Sequence, residues 1–350
     1  MNAIRFDHGS FISSPGNKQT VLHKLKNNKG LEVDVTNYGA RFVTIFFPDR
    51  NNKITDVVVG FDSIEGYLTS TETYYSALVG RYANRIARGN FTLNGKQYHL
   101  SINNSPNHLH GGPNGFHTQV WDVKSVSDNS ISLSYLSPDG EENYPGNLQV
   151  NVTYSLSENN ELVIEYEAST DQATVLNLTS HPFFNLNGQA SGRIEDHSLQ
   201  IQADQYTPVD ASLIPTGIES VENTSFDFRA AKKIGRDIND QHVQLGYGSG
   251  YDHNFVLNGN GFRIVATAIG DQSGIAMDVL TDQPGMQLYT GNFMKGENKI
   301  KYGKLDHYRE AFCLETQHFP DAPNQPLFPS TVLEPGQNFR SKTIYKFYIA

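Results

Sequence analysis

The sequence contains little cysteine, few charged residues and no long apolar run. Its one cysteine, Cys313, cannot form a disulfide within the chain, and we expect it to be a small buried side chain. No stretch approaches the roughly 18 apolar residues of a membrane-spanning helix. Residues 1–8 reach an acidic side chain before any apolar run, unlike a signal peptide. We therefore expect a cytoplasmic protein, although a chain whose leader had been removed would have the same sequence.

Basic residues are also scarce. The chain has 27 Lys and Arg against 37 Asp and Glu, which gives a formal net charge of −10. Because it contains no run of basic residues, it lacks the electrostatic footprint of a nucleic-acid-binding protein. This composition favours a neutral small molecule as the ligand.

Aromatic residues, glycine and proline are well represented. Aromatics make up 11% of the chain, and there are 30 Gly and 15 Pro, a composition typical of many short strands joined by turns. Apolar and polar side chains alternate over residues 148–156 and 162–168, which predicts two half-buried strands. Asn94-Gly95 between two short strand-like segments predicts a hairpin.

Further strand-like segments follow along the whole chain. They lie at residues 31–35, 42–47, 56–61, 131–136, 198–201, 262–268, 275–280, 286–289 and 345–348. We find no long amphipathic helix, low-complexity linker or repeat that would divide the chain. The sequence therefore predicts one all-β domain over residues 1–350, a large antiparallel β-sandwich of two packed sheets, with residues 1–20 as a peripheral arm or edge strand.

One acidic side chain, Glu315, interrupts an otherwise apolar strand. In a strand, Phe312 and Leu314 face a core together. Cys313, Glu315 and Gln317 then face the opposite side. Burying an unpaired carboxylate is costly and raises its pKa, so Glu315 is either a hydrogen-bonded structural acid or a proton acceptor in a cleft.

Two histidines lie on one face of an extended segment, His108 and His110. A metal site there would need a further ligand, and the nearby candidate, His117, does not have a typical ligand spacing. We therefore favour a site without metal. Gly111 and Gly112 permit positive φ angles, so they can bring the His110 imidazole close to a bound ligand.

A third histidine, His181, ends a predicted strand. It is either a structural residue with satisfied hydrogen bonds or a proton donor, since histidine titrates near neutral pH. The aromatic rings of Phe183 and Phe184 favour the second interpretation, because they offer flat faces on which a sugar ring could stack.

Two further clusters carry polar side chains. Residues 80–86 include Asn84 and Arg85, which are suitable donors to ligand hydroxyl groups, although a solvated turn uses the same residue types. In residues 250–255, Asp252 either forms a turn or accepts hydrogen bonds from a ligand.

Together these segments resemble the aldose 1-epimerase family, from about residue 37 to the C-terminus. The matching segments, in the family order, are residues 80–86, 107–112, 137–142, 179–186, 251–255, 287–292 and 314–325. Each segment is moderately specific alone, and the seven in this order are highly specific.

The resemblance implies a β-supersandwich with an open cleft on one sheet and with neither a cofactor nor a metal. It implies that Glu315 is the catalytic base, His181 the catalytic acid and His110 a second active-site histidine. The side chains that it implies for binding sugar hydroxyls are Asn84, Arg85, Asp252 and Gln287. Pro182-Phe183 replaces the serine and tyrosine of many relatives, which removes a hydroxyl contact and leaves Phe183 as a ring contact to substrate.

The implied activity is the interconversion of α and β anomers of free aldohexoses such as galactose and glucose, by a cytoplasmic isomerase that is a monomer or homodimer. Mutarotation needs one base at the C1 hydroxyl and one acid at the ring oxygen. We expect an ionised Glu315 and a protonated His181 as the starting state.

Three other functions stay open from the sequence. A glycoside hydrolase would use Glu315 and Asp252 as its pair of carboxyl groups. A sugar-binding protein would need no acid and base pair. A hexose 6-phosphate epimerase would need a basic cluster for the phosphate, for which Arg81, Arg85 and Arg88 are the candidates.

Overall fold

The structure, a computed structural model, describes residues 8–350 and consists mainly of β-strands. The strands of the first half of the chain are β1 (Leu22–Lys26), β2 (Glu32–Thr36), β3 (Arg41–Pro48), β4 (Ile54–Asp56), β5 (Leu78–Val79), β6 (Arg85–Ile86), β7 (Asn90–Leu93), β8 (Lys96–His99), β9 (His108–Leu109), β10 (Asp122–Val126), β11 (Ser130–Ser137), β12 (Leu148–Leu156), β13 (Glu161–Thr170) and β14 (Thr174–Val175).

The strands of the second half are β15 (Thr179–Ser180), β16 (Ser198–Ile201), β17 (Gln205–Tyr206), β18 (Glu219–Ser220), β19 (Lys232–Lys233), β20 (Asp252–Val256), β21 (Arg263–Ile269), β22 (Ile275–Thr281), β23 (Gly285–Tyr289), β24 (Lys299–Ile300), β25 (Lys304–Leu305), β26 (Cys313–Gln317), β27 (Val332–Leu333) and β28 (Phe339–Ile349). Two short α-helices, α1 (Ile64–Thr69) and α2 (Val243–Gly248), interrupt them. These are the α-helices of residues 8–350, and neither is long and apolar enough to cross a membrane.

Three antiparallel sheets form the body of the molecule. A nine-stranded sheet has the order β10-β11-β12-β13-β28-β22-β21-β16-β19. A four-stranded sheet has the order β1-β2-β3-β4, and a five-stranded sheet has the order β18-β17-β20-β23-β26.

The core lies between the nine-stranded sheet and the two smaller ones. One continuous apolar cluster joins all three sheets, with Val33, Val152 and Leu288 among its members. Each fully buried side chain of this kind stabilises the fold by about 1.5–3 kcal/mol. The Tyr345 hydroxyl of β28 also donates to the Leu314 carbonyl of β26, at 3.0 Å. This arrangement is a β-sandwich, which confirms the predicted fold class.

Most of the predicted strands and the hairpin at Asn94-Gly95 are present. The predicted strand over residues 56–61 is only partly correct, because β4 ends at Asp56. Beyond it the chain crosses between sheets, and the Val59 N–H donates to the Phe183 carbonyl at 2.8 Å. Such a crossing segment satisfies its backbone groups without a continuous ladder.

The predicted arm or edge strand over residues 1–20 lies partly outside the described residues. Its described part, residues 8–20, contains a 3₁₀ helix over His8–Phe11 and no strand. Phe11 is fully buried against a cluster that includes Tyr67. Packing of this side chain fixes that part of the segment to the body of the protein.

Candidate active site

A cavity of about 500 Å³ opens above the five-stranded sheet. Six of the eight predicted site residues line it, namely Asn84, Arg85, His110, His181, Asp252 and Glu315. The other two, Gln287 and Phe183, lie behind its wall. A larger cavity of about 850 Å³ lies among residues 223–242, and none of the predicted site residues lines it.

Strand register places the acidic and amide groups on one face of the five-stranded sheet. Gln287 pairs directly with Glu315 across β23 and β26, and Asp252 lies on the same face of β20. Leu314, one residue away, joins the apolar core on the other face, so the predicted alternation is confirmed. The Gln287 Nε2 donates to the Asp252 Oδ1 at 2.7 Å. Gln287 therefore orients Asp252 from outside the cavity wall.

His181 lies beside Glu315 in the cavity. The His181 Nε2 lies 3.4 Å from the Glu315 Oε1. His181 follows β15, and its backbone is fixed on both sides because its N–H donates to Ala77 and its carbonyl accepts from Ser76, both at 3.0 Å. The structure therefore brings together the two residues predicted to exchange protons.

Phe183 supports His181 instead of contacting the cavity. The two rings are stacked, with centroids 4.9 Å apart and planes 19° apart. Phe184 is fully buried on the opposite side of the chain, where it packs against Phe312 and Tyr345. An extended backbone turns adjacent side chains to opposite faces, and neither ring is among the residues that line the cavity. Stacking of these rings on a sugar therefore stays a prediction.

His110 adopts a positive φ of 51°, at the end of β9. The short ladder between β6 and β9 sets it beside Asn84, whose backbone N–H donates to the His110 Nδ1 at 3.1 Å. A neutral imidazole that accepts at Nδ1 carries its proton at Nε2. Burial and the neighbouring His181 and Arg85 lower the pKa of His110 well below its usual value. His110 is thus a neutral N–H donor.

His108 and His117 have structural environments. The two ring nitrogens of His108 contact the Ser101 carbonyl at 2.6 Å and the Tyr144 hydroxyl at 2.7 Å. The His117 ring is buried against Tyr74, with centroids 4.7 Å apart. The less favoured alternative, a metal bound by these histidines and His110, has no support in these contacts.

One other trio offers donor atoms close enough for a metal. Within residues 8–350, the ligand atoms of His110, His181 and Glu315 lie within 4.8 Å of one another. A metal would need a free electron pair on the His110 imidazole. The Asn84 N–H occupies the pair at Nδ1, and the proton occupies Nε2. These residues therefore suit proton transfer better than metal binding.

Arg85 is the arginine of the predicted basic cluster that lines the cavity. Its Nε donates to the Asn104 Oδ1 at 3.0 Å, and its backbone N–H donates to the Asn84 Oδ1 at 2.9 Å. Arg81 points elsewhere, because its guanidinium donates to the carbonyls of Pro145 and Gly146. The cluster is therefore not assembled around this cavity.

Burial sets the protonation of the central pair. It raises the pKa of Glu315 well above the usual value, with a further increase from Asp252 and an opposing effect of Arg85. Burial also lowers the pKa of His181 to about 4. Both directions favour the neutral pair in the unliganded cavity, contrary to the expected ionised starting state. The two states contain the same number of protons and differ only in where one proton lies.

The sequence motifs do not predict two side chains of the loop between α1 and β5. Glu72 and Tyr74 both line the cavity. The Tyr74 ring lies against His110, with centroids 4.5 Å apart, and parallel to His181 at 6.2 Å. The loop has no strand pattern. The one feature of the sequence that could have indicated a site there is the position of the loop just before residues 80–86.

Comparison with known proteins gives a consistent result. Residues 21–346 match the family model described as aldose 1-epimerase. Human galactose mutarotase is 45% identical over 322 residues, 91% of this chain and 92% of its own length. The aldose 1-epimerase of Escherichia coli K12 is 35% identical over 341 residues, 95% of this chain and 97% of its own.

Solved structures show the same fold. An aldose epimerase homologue from C. elegans superposes with a TM-score of 0.88 at 31% identity, covering 95% of this chain and 99% of its own. Galactose 1-epimerase from Lactobacillus acidophilus has a TM-score of 0.82 at 30% identity, covering 95% and 96%. The match over almost the whole chain, in sequence and in fold, shows that this chain belongs to the aldose 1-epimerase family.

Proposed function

We propose that this isomerase is a mutarotase that interconverts the α and β anomers of free aldohexoses such as galactose and glucose. The observation that carries the proposal is the pair of His181 and Glu315, 3.4 Å apart in a buried cavity lined by hydrogen-bonding groups. The C1 hydroxyl and the ring oxygen are bonded to the same carbon, so an acid and a base this close together can reach both oxygens, and such a pair suffices for ring opening.

In the proposed mechanism, Glu315 takes the proton from the C1 hydroxyl while His181 gives a proton to the ring oxygen. The C1–O5 bond breaks, and the open aldehyde form results. This step leaves Glu315 protonated and His181 neutral, which is the pair that burial favours. Rotation about C1–C2 and the reverse transfers then close the ring as the other anomer.

The surrounding groups act on charge and position. The neutral N–H of His110 and the guanidinium of Arg85 would stabilise negative charge that develops on the reacting oxygens. Asp252, oriented by Gln287, would accept hydrogen bonds from sugar hydroxyls and so hold the reacting atoms in line. No step of this scheme requires a cofactor.

The geometry favours mutarotation over the other enzymatic candidates. An imidazole nitrogen, that of His181, lies 3.4 Å from the Glu315 carboxyl group, whereas hydrolysis needs two carboxyl groups facing a glycosidic bond. A phosphate-binding cluster would need several cations, and Arg85 lines the cavity without Arg81 or Arg88. A protein that only binds sugar would have no use for the proton exchange between His181 and Glu315.

We also expect a single domain over residues 1–350, a cytoplasmic location, and a monomer or homodimer that acts on free monosaccharides. The human and Escherichia coli relatives align with 91% and 95% of this chain, which supports one domain of the family's length.

Polarimetry on freshly dissolved α-D-galactose and α-D-glucose tests the proposed function. We expect the wild-type protein to accelerate the approach to the anomeric equilibrium in proportion to its concentration. Nitrophenyl galactosides and hexose 6-phosphates serve as the alternative substrates. Release of nitrophenol, or acceleration only with the 6-phosphates, would contradict the proposal.

A further inference from the structure

A third acidic group in the cavity has no part in the proton transfers. Glu72 lies between α1 and β5 and lines the cavity together with His181 and Glu315. We propose that Glu72 is a specificity residue whose carboxylate faces the bound sugar and restricts the enzyme to uncharged aldoses, excluding sugars that carry a carboxylate or a phosphate. This inference rests on the mutarotase function proposed above and concerns its substrate range.

The loop that carries Glu72 is held from two directions. The buried Arg41 guanidinium donates to the Thr73 carbonyl at 2.8 Å. The Asn298 Oδ1 accepts a hydrogen bond from the backbone N–H of Thr71 at 3.0 Å. Glu72 therefore lies between two anchored neighbours.

The carboxylate itself is also oriented. The Glu72 Oε1 accepts the backbone N–H of Tyr74 at 2.9 Å. Tyr74 in turn packs against His110 and His181, so the two side chains approach the cavity from the same loop. This hydrogen bond occupies one carboxylate oxygen and keeps the group at the wall.

The charges of the cavity wall disfavour an anionic ligand. Glu72, Asp252 and Glu315 contribute three carboxyl groups, whereas Arg85 is the one arginine or lysine of the described lining. His110 adds no positive charge at neutral pH, because burial lowers its pKa. His181 and Glu315 together carry no net charge, whichever of the two holds the exchanging proton. A sugar carboxylate or phosphate would therefore meet the carboxylates of Glu72 and Asp252 against the one guanidinium of Arg85, and placing like charges together in a poorly solvated site is costly.

Glu72 carries its charge under mildly alkaline conditions. Burial raises its pKa to about 7, the Tyr74 N–H and Arg41 lower it, and Asp306 raises it. Its charge also raises the pKa values of Glu315, Tyr289 and Cys313. The carboxylate is mostly ionised at pH 8, so the exclusion is best measured there.

Anomeric exchange measured by NMR at pH 8 tests the proposal, because it reports on sugars that equilibrate too fast for polarimetry. Galactose, glucose, galacturonate and galactose 6-phosphate are compared with wild type, Glu72→Gln and the control Glu65→Gln. Glutamine retains an oxygen that can accept the Tyr74 N–H. Glu65 is exposed on α1, so the control removes the same net charge away from the cavity.

We expect Glu72→Gln to raise the ratio of kcat/KM for the anionic sugars to that for galactose by about tenfold. Glu72→Ser, whose hydroxyl can replace the carboxylate as acceptor, should raise the ratio as well. Glu65→Gln should leave it unchanged. An unchanged ratio in both Glu72 variants, or an equal rise in the control, would overturn the proposal. Failure of the wild-type protein to accelerate galactose or glucose exchange would instead overturn the mutarotase function.

Discussion

The two cavity histidines have different parts in the proposed chemistry. His110 stays neutral, because burial lowers its pKa well below the usual value, and the Asn84 N–H at its Nδ1 leaves Nε2 as a fixed donor. A donor of this kind stabilises developing negative charge without having to lose its own proton. His181, by contrast, must gain and lose a proton in each cycle. Two neighbouring histidines therefore have different roles because their hydrogen bonds differ.

Replacing His110 by alanine should lower kcat by about 10²–10³-fold, since it removes one fixed donor. The shape of the pH profile between pH 5 and 8 should not change, because the pKa of His110 lies well below its usual value and the ring is neutral throughout that range. Polarimetry with galactose across this range measures both. The exposed His99 is a matched control, and His99→Ala should retain wild-type kcat. Loss of a titration step in the His110 variant would contradict this role.

Phe183→Leu should lower kcat roughly tenfold with little change in KM, because the ring holds His181 and does not face the sugar. Its neighbour provides the control. Phe184→Leu should lower stability through the core but leave kcat largely unchanged. Steady-state kinetics with galactose separate the two effects. A higher KM with unchanged kcat in Phe183→Leu would show that this ring contacts the substrate after all.

Among the structural elements, the turn after β9 is the one most dependent on glycine. Gly111 has a φ of 85°, and a Cβ there would overlap the Gly80 carbonyl oxygen. This close approach joins the Gly80 segment to the His110 segment. Two stretches of sequence that are 30 residues apart thereby form adjacent parts of one wall.

Gly111→Ala should therefore destabilise the protein by more than the roughly 1–3 kcal/mol of a strained left-handed residue, because a steric clash adds to the strain. Gly140→Ala isolates the strain alone, since Gly140 has a φ of 83° and open space around its Cβ position. Urea unfolding of both variants gives the comparison. Equal losses of stability would contradict the close approach of the two segments.

Long alternating strands were the elements that the sequence predicted best. Residues 148–156 and 162–168 form the predicted pair of strands, β12 and β13. They could be predicted because each strand buries one face, which produces an alternation of apolar and polar side chains in the sequence. The two-residue strands, such as β6 and β9, leave no periodic pattern. Distant backbone partners define them, so they could not be located from local sequence.

At the scale of the whole molecule, the protein buries many histidines. Among the histidines that the structure describes, burial lowers the pKa of seven, namely His108, His110, His117, His181, His197, His253 and His318. Burial raises the pKa of fewer carboxyl groups, namely Glu72, Asp252, Glu315 and Asp321. The histidines favour unfolding in acid, and the carboxyl groups oppose it.

The free energy of unfolding should therefore fall by several kcal/mol between pH 7 and pH 5. In this range the unfolded histidines, with pKa values near 6.5, bind protons that the folded ones do not, so stability rises with pH. The buried carboxyl groups have the opposite effect on the free energy of unfolding, because they bind protons in the folded state, but they are fewer than the histidines. Urea unfolding at both pH values measures the difference. Equal or greater stability at pH 5 would show that these histidines are not buried as neutral groups.

The candidate site was largely predictable because its residues lie in recognisable segments. Six of the eight predicted residues line one cavity. The stacking of Phe183 on His181 was not predicted, because sequence spacing does not reveal which ring packs behind His181. Glu72 was missed because nothing local distinguishes a cavity carboxylate from a solvated one. Its place in the cavity wall and the hydrogen bond that its carboxylate accepts from the Tyr74 N–H become visible only in the structure.

The central claim is that Glu315 and His181 exchange the protons of mutarotation. The most direct test is kcat/KM for α-D-galactose, measured by polarimetry with wild type, Glu315→Gln, His181→Asn and the exposed-carboxyl control Glu165→Gln. We expect each site variant to lose at least about 10²-fold while the control stays near wild type. A cooperative thermal unfolding transition shows whether each variant is folded. If either site variant is folded and retains kcat/KM within tenfold of wild type, the proposed role of this pair is contradicted.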